Sequence, residues 1–114
     1  MITLYHNPRC SKSRDALALL EQHGKPFQVI EYLKTPLDET AIRDLLLKLR
    51  LTARDVIRNK ETEYQDLQLN NPNLTESQLI AAIAGHPRLL ERPIVIKDDK
   101  AAIGRPLDNI IAIL

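Results

Sequence analysis

Cysteine and the large aromatic residues are scarce in this chain. Its 114 residues include one cysteine, no tryptophan, one phenylalanine and three tyrosines. A lone cysteine cannot form an internal disulfide or a cysteine-based zinc site, and in a reducing compartment it persists as a free thiol. We therefore expect a largely aliphatic core, and we predict no internal disulfide, no metal site and no bound cofactor.

Long apolar runs and an excess of charge of one sign are also missing. The longest apolar stretches have only about five residues, as in "IIAIL" at 110–114, which is too short for a membrane span or a signal peptide. The formal net charge is +1 at pH 7, so no basic field exists of the kind that gathers nucleic acid or anionic lipid. We expect a cytoplasmic protein whose partners are neither nucleic acids nor membranes.

The residues that are present are typical of one compact domain covering residues 1–114, since 44% are apolar and 27% are charged. A β-like run at residues 2–5 stops at the breaker pair Asn7-Pro8, and a helical pattern with period 3.6 follows. Gly24 can end this helix, and "FQVIEYL" at 27–33 then predicts a second strand. A strand-helix-strand unit of this length favours a parallel pair.

Helical patterns dominate the next part of the chain and predict a helical insert at about residues 36–90. It begins with a stripe of apolar residues at i, i+3, i+4 and i+7: Ile42, Leu45, Leu46 and Leu49. Two capping boxes are predicted, one formed by Thr52 with Asp55 and the other by Thr75 with Gln78. Each marks the start of a further helix.

After Gly85-His86-Pro87 the chain is expected to return to strand. "PIVIKDDKAAIGRP" predicts a β-hairpin turning at Asp98-Asp99-Lys100. A last helix, "LDNIIAIL", is expected to bury three residues: Ile110, Ile111 and Leu114. The order βαβ, helical insert, ββα is that of an α/β fold of the thioredoxin/glutaredoxin-like class with a four-stranded mixed sheet.

The single cysteine, Cys10, stands where the first helix is predicted to begin. Three cations lie within four residues of it, at Arg9, Lys12 and Arg14, and no acidic residue precedes Asp15. A thiol attacks as its thiolate, and an ordinary thiol is only a few per cent ionised at pH 7. A helix N-terminus favours an anion by about 0.3 to 1 kcal/mol, whereas lowering a thiol pKa by about 2.5 units takes about 3.4 kcal/mol. We therefore expect arginines from other parts of the chain beside this thiol.

Four segments follow one another in a familiar order: "YHNPRCSKSR" around Cys10, "VIRNK" around Arg58, "ERPIVI" around Arg92 and "IGRPLD" around Arg105. Together they resemble the glutaredoxin-coupled arsenate reductase (ArsC) family, and within it the YfgD-like subgroup, from residue 2 to residue 114. Taken one at a time, such arginines are more often solvated surface charges. Their common register with the cysteine motif is what singles them out.

The resemblance implies a role for each of these residues. Cys10 would be the catalytic nucleophile, and His6 would help to keep it ionised. An oxyanion pocket would be built from three arginines: Arg58, Arg92 and Arg105. The resemblance also implies a cis peptide bond before Pro93.

The implied activity is the reduction of arsenate to arsenite, with glutathione as co-substrate and glutaredoxin as protein partner. The position three residues after Cys10, where dithiol oxidoreductases keep a resolving cysteine, is Ser13, so external thiols are required. Ser13 and Arg14 are candidates to support the thiolate, Ser13 by a hydrogen bond and Arg14 by its charge.

Other functions stay open at this point. Residues 11–14 read Ser-Lys-Ser-Arg where arsenate reductases of this family have Gly-Thr-Ser-Arg, which leaves open another oxyanion or a glutathionylated protein as substrate. A non-catalytic regulator like those of the Spx family, which bind RNA polymerase, is a second alternative, although the Cys-X-X-Cys switch of that family is absent. A phosphatase is disfavoured because tyrosine phosphatases place arginine six positions after the nucleophile, and Ala16 stands there.

Overall fold

The computed structural model describes all residues from 1 to 114, and they form two compact units. One unit comprises Met1–Thr35 and Arg92–Leu114, and the other comprises Pro36–Glu91. The first contains all four strands and the second contains most of the helices. That the two together make one domain stays a prediction.

A four-stranded mixed sheet is the centre of the first unit. Its strands are β1 (Ile2–Tyr5), β2 (Phe27–Ile30), β3 (Ile94–Lys97) and β4 (Lys100–Ile103), in the order β2-β1-β3-β4. β1 runs parallel to β2 and antiparallel to β3, and β3 and β4 form an antiparallel hairpin. The predicted α/β class, the parallel pair and the hairpin are thus confirmed.

Two helices of this unit contribute side chains to the core beside the sheet. Helix α1 (Ser11–His23) ends at Gly24, whose φ of 83° is the left-handed conformation that glycine adopts without strain. Helix α6 (Asp108–Ile113) follows β4. The buried cluster is aliphatic, as expected, and consists of Ile2, Leu4, Ala16, Leu20, Val95, Ala102 and Ile110. Burial of such side chains is the main term that stabilises the unit.

One core prediction for α6 is wrong. Ile110 is fully buried, but Ile111 is 52% exposed and Leu114 is only partly buried. A helix turns by about 100° per residue, so two consecutive residues cannot both face the same core.

The second unit contains four α-helices: α2 (Glu39–Leu49), α3 (Ala53–Val56), α4 (Thr62–Asp66) and α5 (Glu76–Gly85). Both predicted capping boxes are present. Asp55 accepts the backbone N–H of Thr52 at 2.9 Å, and Gln78 accepts that of Thr75 at 2.8 Å. No helix in the protein has the length and apolar character needed to cross a bilayer, since even α1 has 13 residues.

The chain returns to strand at β3, as predicted, but a turn that was not predicted comes first. Pro87–Leu89 form a 3-10 turn, because proline at the first position already has a helical φ and Leu89 N–H can donate to the carbonyl of His86. Only an isolated bridge between Ile57 and Leu90 precedes β3.

The cis peptide bond predicted between Arg92 and Pro93 is confirmed, and a second one, between Arg105 and Pro106, was not foreseen. In the hairpin, Asp98 has φ 57° and Lys100 already pairs with Lys97, so the turn is Asp98-Asp99.

Candidate active site

The loop between β1 and α1 places Cys10 directly before the first residue of the helix. Cys10 is the N-cap of α1, with extended backbone angles and no hydrogen bond from its side chain to the helix. The loop is held by Asn7, whose backbone carbonyl accepts the N–H of Cys10 at 3.0 Å and whose side chain accepts the N–H of Arg9 at 3.1 Å. No acidic residue lies in the first turn. The sulfur therefore stands at the positive end of the helix dipole, as the sequence predicts.

Ser13 and Arg14 tie the first turn of α1 back to this loop. The hydroxyl of Ser13, which is fully buried, accepts the N–H of Asn7 at 3.3 Å. Arg14 Nη1 donates to the carbonyl of Pro8 at 2.9 Å. Both side chains thus shape the loop around Cys10, and their predicted support of the thiolate itself stays a prediction.

The predicted cation beside the thiol is Arg105. Its Nη2 lies 3.7 Å from Sγ of Cys10, within hydrogen-bond reach of a sulfur acceptor, and the thiol is 7% exposed. Its Nε donates to the backbone carbonyl of Arg92 at 2.8 Å. The guanidinium is thus held at Nε by the backbone of Arg92, while its Nη2 is directed at the sulfur of Cys10. The structure therefore brings together two parts of the chain that are 95 residues apart.

Arg92 enters the site through this backbone contact. Its Nε and Nη1 atoms are buried, and the residue as a whole is half-buried. Its predicted role as an oxyanion ligand stays a prediction.

His6, directly after β1, is buried and uncharged near neutral pH. Its backbone N–H donates to Ile30 at 2.9 Å, which continues the β1–β2 ladder, and its ring Nδ1 is buried without a hydrogen-bond partner. Burial, the largest cause, lowers the pKa of His6 from its ordinary 6.5; the carboxylate of Glu31 opposes this shift, and Arg14 adds to it. Support of the thiolate by His6 would therefore come from a hydrogen bond rather than from a positive charge.

The free energy of unfolding should decrease as the pH is lowered, because His6 is harder to protonate in the folded protein than in the unfolded chain. Because the pKa in the folded state lies below 6.5, the unfolded chain binds more protons between the two values, and stability drops as the pH falls through that window. One such proton contributes a slope of at most about 1.4 kcal/mol per pH unit. Urea unfolding at intervals between pH 5 and pH 7 measures the slope, which should become shallower in His6→Gln. An equal loss of slope in His23→Gln, at an exposed histidine, would contradict this assignment.

Arg58 lies in the second unit, two residues after α3 ends. Its N–H donates to the carbonyl of Leu89 at 2.7 Å, and its guanidinium lies 3.7 Å from Glu61 and 3.9 Å from Glu91. It is about one-quarter exposed. Its contribution to a common oxyanion pocket stays a prediction.

Three residues that hold or flank the predicted site residues within their own units were not assigned from the sequence. Asn7 shapes the cysteine loop, and the signal for it was its place before a proline in a turn, where Asn side chains commonly bond the backbone two residues on. Glu61 and Glu91 flank Arg58. Nothing in the sequence marks the pairing with Glu91, which is 33 residues away along the chain.

Comparisons with known proteins find relatives that match nearly the whole chain. An arsenate reductase of Neisseria meningitidis serogroup A is 54% identical over 114 residues, which cover 99% of this chain and 97% of that protein. The uncharacterized protein YfgD of Escherichia coli is 46% identical, covering 99% and 96%. The solved structure of an arsenate reductase from Vibrio cholerae is 44% identical with a TM-score of 0.96, covering 99% of this chain and 97% of that one.

The sequence model of the ArsC family matches residues 5–113, a range that contains Cys10 and all three predicted arginines. Structures of that family have the thioredoxin-like fold, as predicted for this chain. On these grounds the chain belongs to the ArsC family.

Proposed function

We propose that this protein reduces arsenate to arsenite, with Cys10 as nucleophile, glutathione as co-substrate and glutaredoxin as protein partner. The observation that carries the proposal is the 3.7 Å contact between Arg105 Nη2 and Cys10 Sγ at the N-terminus of α1. A guanidinium at this distance stabilises a thiolate and can donate to the oxygens of an anion. The similarity to arsenate reductases of N. meningitidis and V. cholerae supports arsenate as that anion.

The first step is attack of the Cys10 thiolate on arsenic. A sulfur–arsenic bond forms, one arsenate oxygen takes up two protons and leaves as water, and arsenic remains pentavalent. Charge on the remaining oxygens is stabilised by Arg105 and by the free backbone N–H groups of the first turn of α1. In the proposal Arg92 and Arg58 supply further planar donors, which suit a tetrahedral oxyanion because each can meet two oxygens.

The second step transfers two electrons to arsenic. The thiolate of glutathione attacks the sulfur of Cys10, a sulfur–sulfur bond forms, and the sulfur–arsenic bond breaks. Arsenic keeps the electron pair of that bond and leaves as trivalent arsenite. Cys10 is left in a mixed disulfide with glutathione.

The third step needs an external thiol because Ser13 stands where a resolving cysteine would lie. A thiolate of glutaredoxin attacks the glutathione sulfur of the mixed disulfide, and Cys10 returns as thiolate. We place this cycle in the cytoplasm, where glutathione keeps thiols reduced.

A coupled assay tests the proposal. The protein is mixed with arsenate, glutathione, glutaredoxin, glutathione reductase and NADPH, and NADPH oxidation is followed. We expect consumption that depends on arsenate and stops when either glutathione or glutaredoxin is omitted. Phosphate should inhibit without itself causing consumption, since it has the shape and charge of arsenate but is not reduced. Absence of arsenate-dependent consumption in the complete mixture would overturn the proposal.

A further inference from the structure

Arg58 lies between two carboxylates within the Pro36–Glu91 unit. Its Nη1 is 3.7 Å from Glu61 Oε1, and its Nε is 3.9 Å from Glu91 Oε1. Both separations exceed the roughly 2.7 to 2.9 Å of a charge-assisted hydrogen bond. The carboxylates therefore orient the guanidinium by attraction and leave its N–H groups able to donate to a third, anionic partner.

The carboxylate of Glu61 is held in turn by a second arginine, Arg88. Arg88 Nη2 donates to Glu61 Oε1 at 3.3 Å, and Arg88 Nε lies 3.9 Å from Glu63 Oε2. The side chain of Glu61 is 13% exposed and that of Arg58 is 24% exposed, so water and salt screen their attraction less than they would screen a surface pair. A chain of alternating charges thus runs from Arg88 through Glu61 to Arg58 and on to Glu91.

The backbone holds the same group in place. Arg58 N–H donates to Leu89 at 2.7 Å, and Glu91 N–H donates to Val56 at 2.8 Å. These two bonds lie on either side of the bridge between Ile57 and Leu90. Arg58 therefore has a fixed backbone opposite Leu89, on the segment that also contains Glu91, although it belongs to no helix or named strand.

We propose that Glu61 and Glu91 are positioning residues that hold the guanidinium of Arg58 ready for the oxyanion. The inference rests on the proposed function, in which Arg58 is an oxyanion ligand. A free arginine side chain has many rotamers, and ordering it at the moment of binding weakens affinity. Two carboxylates that order it beforehand remove that cost, and their distances leave its donors unoccupied.

Equilibrium binding tests this without relying on turnover. Sodium arsenate is titrated calorimetrically into the Cys10→Ser protein, and then into the same protein carrying Glu61→Gln or Glu91→Gln. Each added change should weaken arsenate binding about threefold to tenfold. Arg88→Ala, at the exposed outer end of the chain of charges, should weaken it about twofold and provides a variant with little risk to folding.

A double-mutant cycle separates positioning from a general structural effect. In the Arg58→Ala background, Glu91→Gln should cause no further weakening, because the residue that it positions is gone. An equal factor in both backgrounds would overturn the inference. The matched control is Asp44→Asn, which removes a carboxylate from a 2.9 Å ion pair with Lys48 on α2 and should leave the affinity unchanged.

The possible failures are distinguishable. Unchanged or tighter binding in the two Glu→Gln variants, together with weaker binding in Arg58→Ala, would overturn the positioning role alone. Unchanged binding in Arg58→Ala would remove Arg58 from the site and the inference with it. No detectable arsenate binding to the Cys10→Ser protein itself would overturn the oxyanion site and hence the proposed function.

Discussion

Replacing Cys10 by serine should abolish arsenate-dependent NADPH consumption, with a loss of at least about 10³-fold in turnover. Two steps fail at once. A serine hydroxyl stays protonated near neutral pH, so the attack on arsenic lacks its anion. An oxygen at this position also cannot form the mixed disulfide from which glutaredoxin regenerates the enzyme. The coupled assay with glutathione and glutaredoxin measures both failures as one loss.

The fold should survive this substitution, so that the loss reports on chemistry. Serine differs from cysteine by one atom, and its oxygen can still accept a hydrogen bond from Arg105 at the N-cap of α1. The melting temperature should therefore stay close to that of the wild type. Ser11→Ala, at the exposed neighbouring residue, is the matched control and should keep its activity. Wild-type turnover in Cys10→Ser would show that another group carries the reaction.

Replacing Arg105 by alanine should lower kcat/KM for arsenate about 10²- to 10³-fold, the usual effect of removing one preorganised donor from an oxyanion site. Arg105 is the cation that contacts Sγ of Cys10, and its other side is anchored on the carbonyl of Arg92. Arg105→Lys should recover only part of the loss, because an ammonium is a single point of charge and cannot serve both partners as a planar fork does. Steady-state kinetics with varied arsenate gives the ratio for each variant.

The Arg105→Ala variant should slow the reaction of Cys10 with iodoacetamide at pH 7 by roughly tenfold, since the guanidinium that contacts the attacking sulfur is gone. Arg9→Ala is the matched control, because Arg9 is an exposed cation next to Cys10 whose hydrogen bond to Asn7 comes from its backbone N–H and does not depend on its side chain. The Arg9→Ala change should alter both kcat/KM for arsenate and the rate of reaction with iodoacetamide by less than about threefold. Equal losses in the Arg9 and Arg105 variants would mean that the general positive field, not the contact, activates the thiol.

Local features of the fold were predictable from short stretches of sequence. Such features are the N-cap of α1 at Cys10, its C-cap at Gly24 and the two capping boxes, and each depends on residues within four positions of one another. The features that were missed or predicted wrongly depend instead on contacts that form only in the folded protein. Pro87 could begin either a turn or an extended segment, and it was the contacts of the 3-10 turn that decided. The burial of Ile110 rather than Ile111 depended on which face of α6 meets the sheet core.

The candidate site divides in the same way. Cys10 could be singled out because it is the only cysteine and stands before a helix. The three arginines could be singled out only because the sequence around them resembles that of a known family. The sequence could not say which of them contacts the thiol. The structure selects Arg105, 95 positions away, because β4 delivers it beside the cysteine loop and Arg92 fixes its Nε.

The sequence by itself determined most elements of this protein and the place of its single cysteine before the first helix, because each follows from local chemistry or from composition. The tertiary structure alone decided which cation contacts the sulfur, that His6 is buried with a lowered pKa, and that Glu61 and Glu91 flank Arg58. The physical reason is distance along the chain. Contacts between residues tens of positions apart, and the burial that moves the pKa of His6, exist only after strands and helices have packed.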